Sequence, residues 1–342
     1  MRVTLVPLLA ILLMAPLVAS QQYSMAGPDD VANNVPLKMK VYRKWSIKLP
    51  SEQWSTVGTG FNLKAGVGAD FKAHLDGTAL AVDIDADGKI DVKVETPQGH
   101  LILANGDRRY AVRVKTENSQ WRFAPACVMM GKIGDTKVKL IDQDNNGRFN
   151  DFGKDAMVVG NGKVASLLSK VISIDSKLVE LKIDADGSNL SYSPYTGPVA
   201  SLKLDATCKG KIVASVVQSK DGQYSFGFSG AQNELQVPAQ DYALHSGIIS
   251  FGGNTVKVKM GKSKSINLAA DGSGVITWGG PVRAEFTYVR EGDKVNFDPS
   301  KIWFYGSAGE EYFGWSPLGK SPKITLNSTS GRELAQASFP GS

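Results

Sequence analysis

The chain is poor in the side chains on which soft-metal binding and nucleophilic catalysis depend. Its 342 residues include 2 cysteines and 3 histidines, and His74, His100 and His245 are scattered without ligand spacing, which argues against a zinc centre. The sequence has no Gly-x-Ser-x-Gly elbow, no His-Glu-x-x-His and no cysteine beside a plausible histidine partner. Past the N-terminal segment no apolar run is long enough to cross a bilayer, so no integral membrane segment is expected once that segment is removed. Charge of one sign is lacking as well. The 39 basic and 33 acidic residues, net +6, are spread along the chain without a basic stripe interleaved with aromatics, so no nucleic-acid partner is expected.

The N-terminus has a single positive charge at Arg2, then the apolar run Val3 to Val18, then the small pair Ala19-Ser20. This order is that of a secretory signal peptide over residues 1–20, and it implies a secreted or periplasmic protein. No cysteine follows the run, so a lipid anchor is not indicated. Residues 21–35 are polar and small and read as a disordered arm. In an oxidising compartment Cys127 and Cys208 form a disulfide or remain as two buried thiols; the sequence accommodates both.

What the chain has in abundance is alternation with a period of two. Ala79-Leu80-Ala81-Val82 leads through Ala86-Asp87-Gly88-Lys89 into Ile90-Asp91-Val92-Lys93-Val94, a strand, turn and strand. Similar turn punctuation recurs at Asn105-Gly106, Asp186-Gly187, Asp221-Gly222 and Asp271-Gly272. Only Lys163 to Ile172 shows helical spacing, and that stretch reads equally as a loop entering a strand. Many short strands with almost no helix give an all-β class with two to three sandwich-like domains. The Gly-Pro turns at Gly197-Pro198 and Gly280-Pro281 divide it into residues 36–196, 197–281 and 282–342.

The most informative stretch is Leu140 to Asp155. Asp142, Asp144 and Asn146 stand at alternate positions before Gly147, an order that curls the backbone and turns oxygens inward toward a hard cation such as Ca2+. The Arg148 carbonyl would add a ligand, with Asn150 or Asp151 completing the shell directly or through water. An EF-hand requires a bidentate Glu at the twelfth position, where this chain has Gly153, leaving Asp155 as the substitute. Read more plainly, Asn145-Asn146-Gly147-Arg148 is a hairpin turn whose acids face water, a reading compatible with the first.

Other signals are weaker. Asp83, Asp85, Asp87 and Asp91 also match the opening of a Ca2+ loop, but their even spacing reads better as the solvent face of a strand. The pentapeptide Ile-Asp-Ala-Asp-Gly occurs at Ile84 to Gly88 and again at Ile183 to Gly187, which indicates recurrent turn chemistry. Gly314 to Ser321 fits the nucleotide-binding pattern GxxxxGK[ST] by letter. Pro322 and the alternating Lys323 to Asn327 then deny it the helix that such a loop needs. Glu310-Glu311 is the most enzyme-like acidic pair, although strand neighbours face opposite ways. The lysines of Val256 to Lys264 alternate, as on an edge strand.

From Gly197 onward, three phrases resemble tandem β-sandwich modules of uncharacterised exported bacterial proteins. Val237-Pro238-Ala239-Gln240-Asp241-Tyr242 is similar to a carboxypeptidase-regulatory-like or transthyretin-like module over residues 197–281, with Gln240 where glycine is usual. Tyr305 to Tyr312 with Gly331 to Ala335 resembles an immunoglobulin-like module over 282–342, and Trp278-Gly279-Gly280-Pro281 lies between them. The resemblance implies an adhesive or structural accessory role and carries over no catalytic residues. The expectation is a non-enzymatic structural or binding protein of the cell envelope, stabilised by Ca2+, whose partner is an envelope protein or polysaccharide. The alternative is a secreted hydrolase or carbohydrate-binding protein, which exposed Trp303, Tyr312 and Trp315 beside a cleft would favour.

Overall fold

The computed structural model describes residues 33–228, 233–314 and 323–338. The signal peptide, residues 21–32 of the arm, and residues 315–321 of the nucleotide-loop match lie outside the described residues, as does Trp315.

Alternating sequence becomes strand throughout. The α-helical element among the described residues is a single turn, Lys64–Val67, and none is long and apolar enough to cross a membrane. The class is all-β and sandwich-like. The described residues form one compact unit.

Four sheets surround the larger apolar cluster. One orders the strands Asn33–Pro36, Asn189–Pro194, Lys177–Ile183 and Val171–Ile174. A second runs Ser166–Leu167, Ala156–Val159, Thr136–Ile141, Cys127–Ile133 and Lys38–Val41. Arg108–Glu117 lies between Gln98–Asn105 and Gln120–Pro125 in a third. In the fourth, Gly60–Asn62, Asp70–Asp76, Ala79–Val82 and Val92–Val94 follow one another. Their inward residues, among them Phe61, Tyr110, Leu140 and Met157, are buried together with Phe149 from a connecting loop. Period-two patterning does this by sending alternate side chains to opposite faces.

A second apolar cluster begins at Ala200 and includes Tyr242 and Trp278. It is built from a parallel pair, Val199–Thr207 with Ser273–Gly279, and a sheet in which Asp241–Phe251 lies between Lys211–Ser219 and Asn254–Lys259. That sheet continues across Gly280-Pro281, because Glu311–Phe313 pairs with Asn254–Lys259 and with Lys294–Tyr305.

Two local expectations are corrected, and of the two readings left open for Lys163 to Ile172 the loop entering a strand is met. Asn33–Val35, placed in the disordered arm, pair with Leu190–Tyr192, because Val35 packs on the larger cluster and an edge strand tolerates Pro36. The helical spacing of Lys163 to Ile172 resolves into the strands Ser166–Leu167 and Val171–Ile174. The lysines of Asn254–Lys259 do alternate outward, yet that strand lies inside its sheet rather than at an edge.

Candidate cation site

Strand pairing builds the site before any side chain is considered. Ile141 stands opposite Ala156 in the ladder between Thr136–Ile141 and Ala156–Val159. The next residues outward are Asp142 and Asp155, so the ladder sets the first and last acids of the intervening loop opposite each other at its neck. Leu140, Ile141, Ala156 and Met157 are each 0% exposed, and this burial carries over to the two acids, at 0% and 1%.

Asp142 and Asp155 are held by the loop's own backbone, and Asp144 by a side chain of the loop. Asp142 Oδ1 accepts the Asn146 N–H at 3.1 Å, and Oδ2 accepts the Gly147 N–H and the Tyr110 hydroxyl, both at 2.6 Å. Asp155 accepts the N–H groups of Gln143 and Asp151 at 3.2 and 2.9 Å. Asp144 Oδ2 accepts the Asn146 amide at 3.2 Å, while its Oδ1 is buried without a partner. Asp142, Asp144 and Asp155 each bring a carboxylate oxygen within 4.8 Å of the other two, a cluster that could hold a metal ion.

The loop is tied to the core at several points. Phe149 is buried in the larger cluster against Tyr110, ring centroids 6.1 Å apart. Gly147, at φ +82°, passes so close to the helical turn that a Cβ on Gly66 would lie 1.4 Å from the Gly147 carbonyl oxygen. Farther along, the Gly153 carbonyl accepts the Gln218 amide at 3.3 Å, which joins the loop to the strand Lys211–Ser219 over the second cluster.

Charge within the cluster is one-sided. Among the described residues no lysine or arginine pairs with Asp142, Asp144 or Asp155. Burial, then the neighbouring Asp142 carboxylate, pushes Asp155 up to about 9. Burial also raises Asp142, against the pull of the Tyr110 and Gly147 bonds. Tyr110 in turn is held protonated by burial and by Asp142. Two full charges separated by such a distance at an effective dielectric of about 20 repel by about 3 kcal/mol. The cluster therefore requires protons or a cation, and its all-oxygen donor set suits a hard one.

The remaining predicted ligands fall outside the triad. Asn146 donates its amide to Asp144 and Asp151 and uses its oxygen for the Arg148 N–H. Arg148 is exposed, with its guanidinium on Asn150 and Asp151, and the Asn150 amide reaches the Ile183 carbonyl at 3.4 Å. The chain does turn at Asn145 and Gly147, with φ +64° and +82°, between two antiparallel strands, but the turn lies within a longer loop, and Asp142 and Asp155 are buried where the turn reading had them facing water. Strands flank the loop where an EF-hand would have helices.

Other predicted features resolve as follows. Asp83 does not lie on a strand's solvent face; its strand ends at Val82, and Asp83 is 1% exposed at the start of a loop. With Asp85 and Asp91 it forms a second carboxylate cluster that could hold a metal ion. Cys127 and Cys208 are both free, the first in the larger cluster and the second against the other one. Glu310 is buried and accepts the N–H groups of Gly279 and Ala308 at 2.7 and 2.9 Å, while Glu311 pairs outward with Lys259 at 2.9 Å. Tyr312 is packed in the second core and Trp303 is half-buried.

Sequence reasoning passed over one groove of about 750 Å³, lined by Lys48, Trp54, Lys115, His245, Lys257 and Phe313, among others. Lys115 Nζ and the Arg113 guanidinium lie over the Trp54 ring, 4.4 and 5.0 Å from its centroid. The groove draws its residues from distant strands, and no local motif announces it. No family model, no curated protein and no solved structure matches this chain.

Proposed function

We propose that this chain is an exported, non-enzymatic structural or binding protein of the cell envelope whose β-scaffold is stabilised by Ca2+ in the loop 142–155. The observation that carries the proposal is the triad Asp142, Asp144 and Asp155, whose oxygens approach within 4.8 Å with no basic partner among the described residues. Six to eight oxygens suit Ca2+, and carbonyls, the Asp151 carboxylate and water can supply those beyond the triad. The ion replaces mutual repulsion with shared coordination and stiffens a loop that packs into the larger apolar cluster and bonds to the strand Lys211–Ser219. Without a bidentate Glu the affinity is expected in the range of about 10⁻⁴ to 10⁻³ M, as in extracellular modules.

The test is thermal unfolding in millimolar Ca2+ against chelator. At a free concentration tenfold above Kd, linkage gives about 1.4 kcal/mol, so the wild-type midpoint rises. It rises less in Asp142→Ala/Asp144→Ala, which lacks this site. Equal behaviour of the two proteins overturns the proposal.

A second element of the reading, contact with an acidic envelope polysaccharide, draws support from the groove. Lys48 and Lys257 have no ion-pair partner among the described residues, and the Arg113 and Lys115 cations over the Trp54 ring extend the basic surface beside them. The one carboxylate lining it, Glu52, is engaged by Arg113 at 2.8 Å, which favours binding over the paired-carboxylate chemistry of a hydrolase. Retention on an acidic but not a neutral polysaccharide, lost in Lys257→Glu, is the expected result.

A further inference from the structure

We propose that residues 83–91 form a second Ca2+ site, held by Asp83, Asp85 and Asp91, which operates independently of the loop at 142–155. Each of the three presents a carboxylate oxygen within 4.8 Å of the other two. Proximity alone would be a solvated acidic turn. What points to a ligand is Asp83, 1% exposed, whose Oδ2 accepts the Gly88 N–H at 2.9 Å while its Oδ1 is buried with no partner. A carboxylate oxygen removed from water and left unpaired is costly, and a cation shared with Asp85 and Asp91 satisfies it. Asp85 and Asp91 are exposed, so water completes the shell. Lys72, whose Nζ would lie 3.7 Å from a Cβ on Gly88, makes no ion pair with any of the three.

The two loops follow one construction. Val82 pairs with Val92 in the ladder, so Asp83 and Asp91 flank the neck as Asp142 and Asp155 do. The triad is again the first, third and last residue of the loop. In both, the first aspartate accepts an N–H from the glycine five residues on, Gly88 or Gly147. The residue before that glycine then accepts the N–H after it, Asp87 from Lys89 at 2.7 Å and Asn146 from Arg148 at 2.8 Å.

A third loop supplies the contrast. Ile183 pairs with Leu190, which sets Asp184 and Asn189 at the neck; the last residue is neutral. Arg108 already pairs with Asp186 at 3.5 Å, so the charge is met by the protein itself. The pentapeptide Ile-Asp-Ala-Asp-Gly therefore does not by itself make a carboxylate cluster.

With three carboxylates, two of them exposed, the affinity is expected at about 10⁻⁴ to 10⁻³ M. The experiment is a Ca2+ titration of the ¹⁵N-labelled full chain followed by amide shifts, with ionic strength held constant by NaCl. The Gly88 and Ile84 amides, which donate to Asp83 and Asp91, should shift saturably in wild type and in Asp142→Ala/Asp144→Ala. In Asp85→Asn, an exposed change that leaves the fold intact, their apparent Kd should rise at least about tenfold. Unmoved amides up to about 10 mM Ca2+, or shifts that Asp85→Asn leaves unchanged, overturn the second site. Failure confined to the Gly147 amide would bear on the first loop alone.

Discussion

Tyr110 gives its phenolic proton to Asp142 Oδ2 at 2.6 Å, and both side chains are enclosed by the larger apolar cluster. The bond fixes a loop acid to the first part of the strand Arg108–Glu117 and orients it toward Asp144 and Asp155. Replacing Tyr110 by Phe retains the packing on Phe149 and removes the donor. A buried hydrogen bond to a charged acceptor contributes about 1.5–3 kcal/mol, so urea denaturation of Tyr110→Phe should show a loss of about that size.

Gly66 has no room for a side chain, because its Cβ would meet the backbone of Gly147 rather than a movable side chain. Gly66→Ala should displace the loop and cost about 3 kcal/mol. Gly162→Ala, where the nearest atom is 4.0 Å away, should change stability by less than about 0.5 kcal/mol. Equal effects from the two substitutions would separate the loop from the helical turn it is said to pack on.

The thiols differ in chemistry. Burial pushes Cys127 up to about 12, and its Sγ accepts the Ala111 N–H at 3.4 Å, so almost no thiolate is present at pH 8. Iodoacetamide should label native protein at Cys208 alone, and at Cys127 only after unfolding. Mobility should be the same with and without reductant, because no bridge joins the two.

His245 sets a pH dependence. Its Nδ1 is buried without a partner, and burial lowers its pKa. Below about pH 6.5 the unfolded chain binds a proton that the folded chain resists. The contribution is therefore present above the unfolded value and is lost as pH falls toward the folded one. As pH falls from 7.5 to 5.5, the thermal midpoint of wild type should fall relative to that of His245→Gln, the comparison that removes the opposite contribution of the raised Asp142 and Asp155.

The β class was legible because a period of two survives local noise; alternation at Ala79–Val82 and Val92–Val94 is enough to name both strands. The loop at 142 was legible through its first half, where Asp142, Asp144 and Gly147 carry the local geometry. Its closing acid was seen only as a substitute for a missing ligand, since the role of Asp155 depends on which residue stands opposite Ile141, a matter of pairing rather than spacing. The Asp83 segment misled for a related reason. Acids at every second position look the same on a strand face as in a loop, and only the turn through Ala86 and Gly88, at φ +61° and +90°, separates the two. For Lys163 to Ile172 the sequence left a helix and a loop entering a strand equally open, and tertiary pairing decided for the strand. The groove at Trp54 and Lys257 lay beyond sequence reasoning because its walls come from strands far apart in the chain.

The central claim is that Asp142, Asp144 and Asp155 share one Ca2+ ion. Crystals grown in millimolar Ca2+ and measured at long wavelength test it directly through anomalous scattering. A peak between the three carboxylates, with oxygens at about 2.3–2.6 Å, is the predicted result. A well-ordered loop with no peak there, while Ca2+ is present in the solvent, would contradict it.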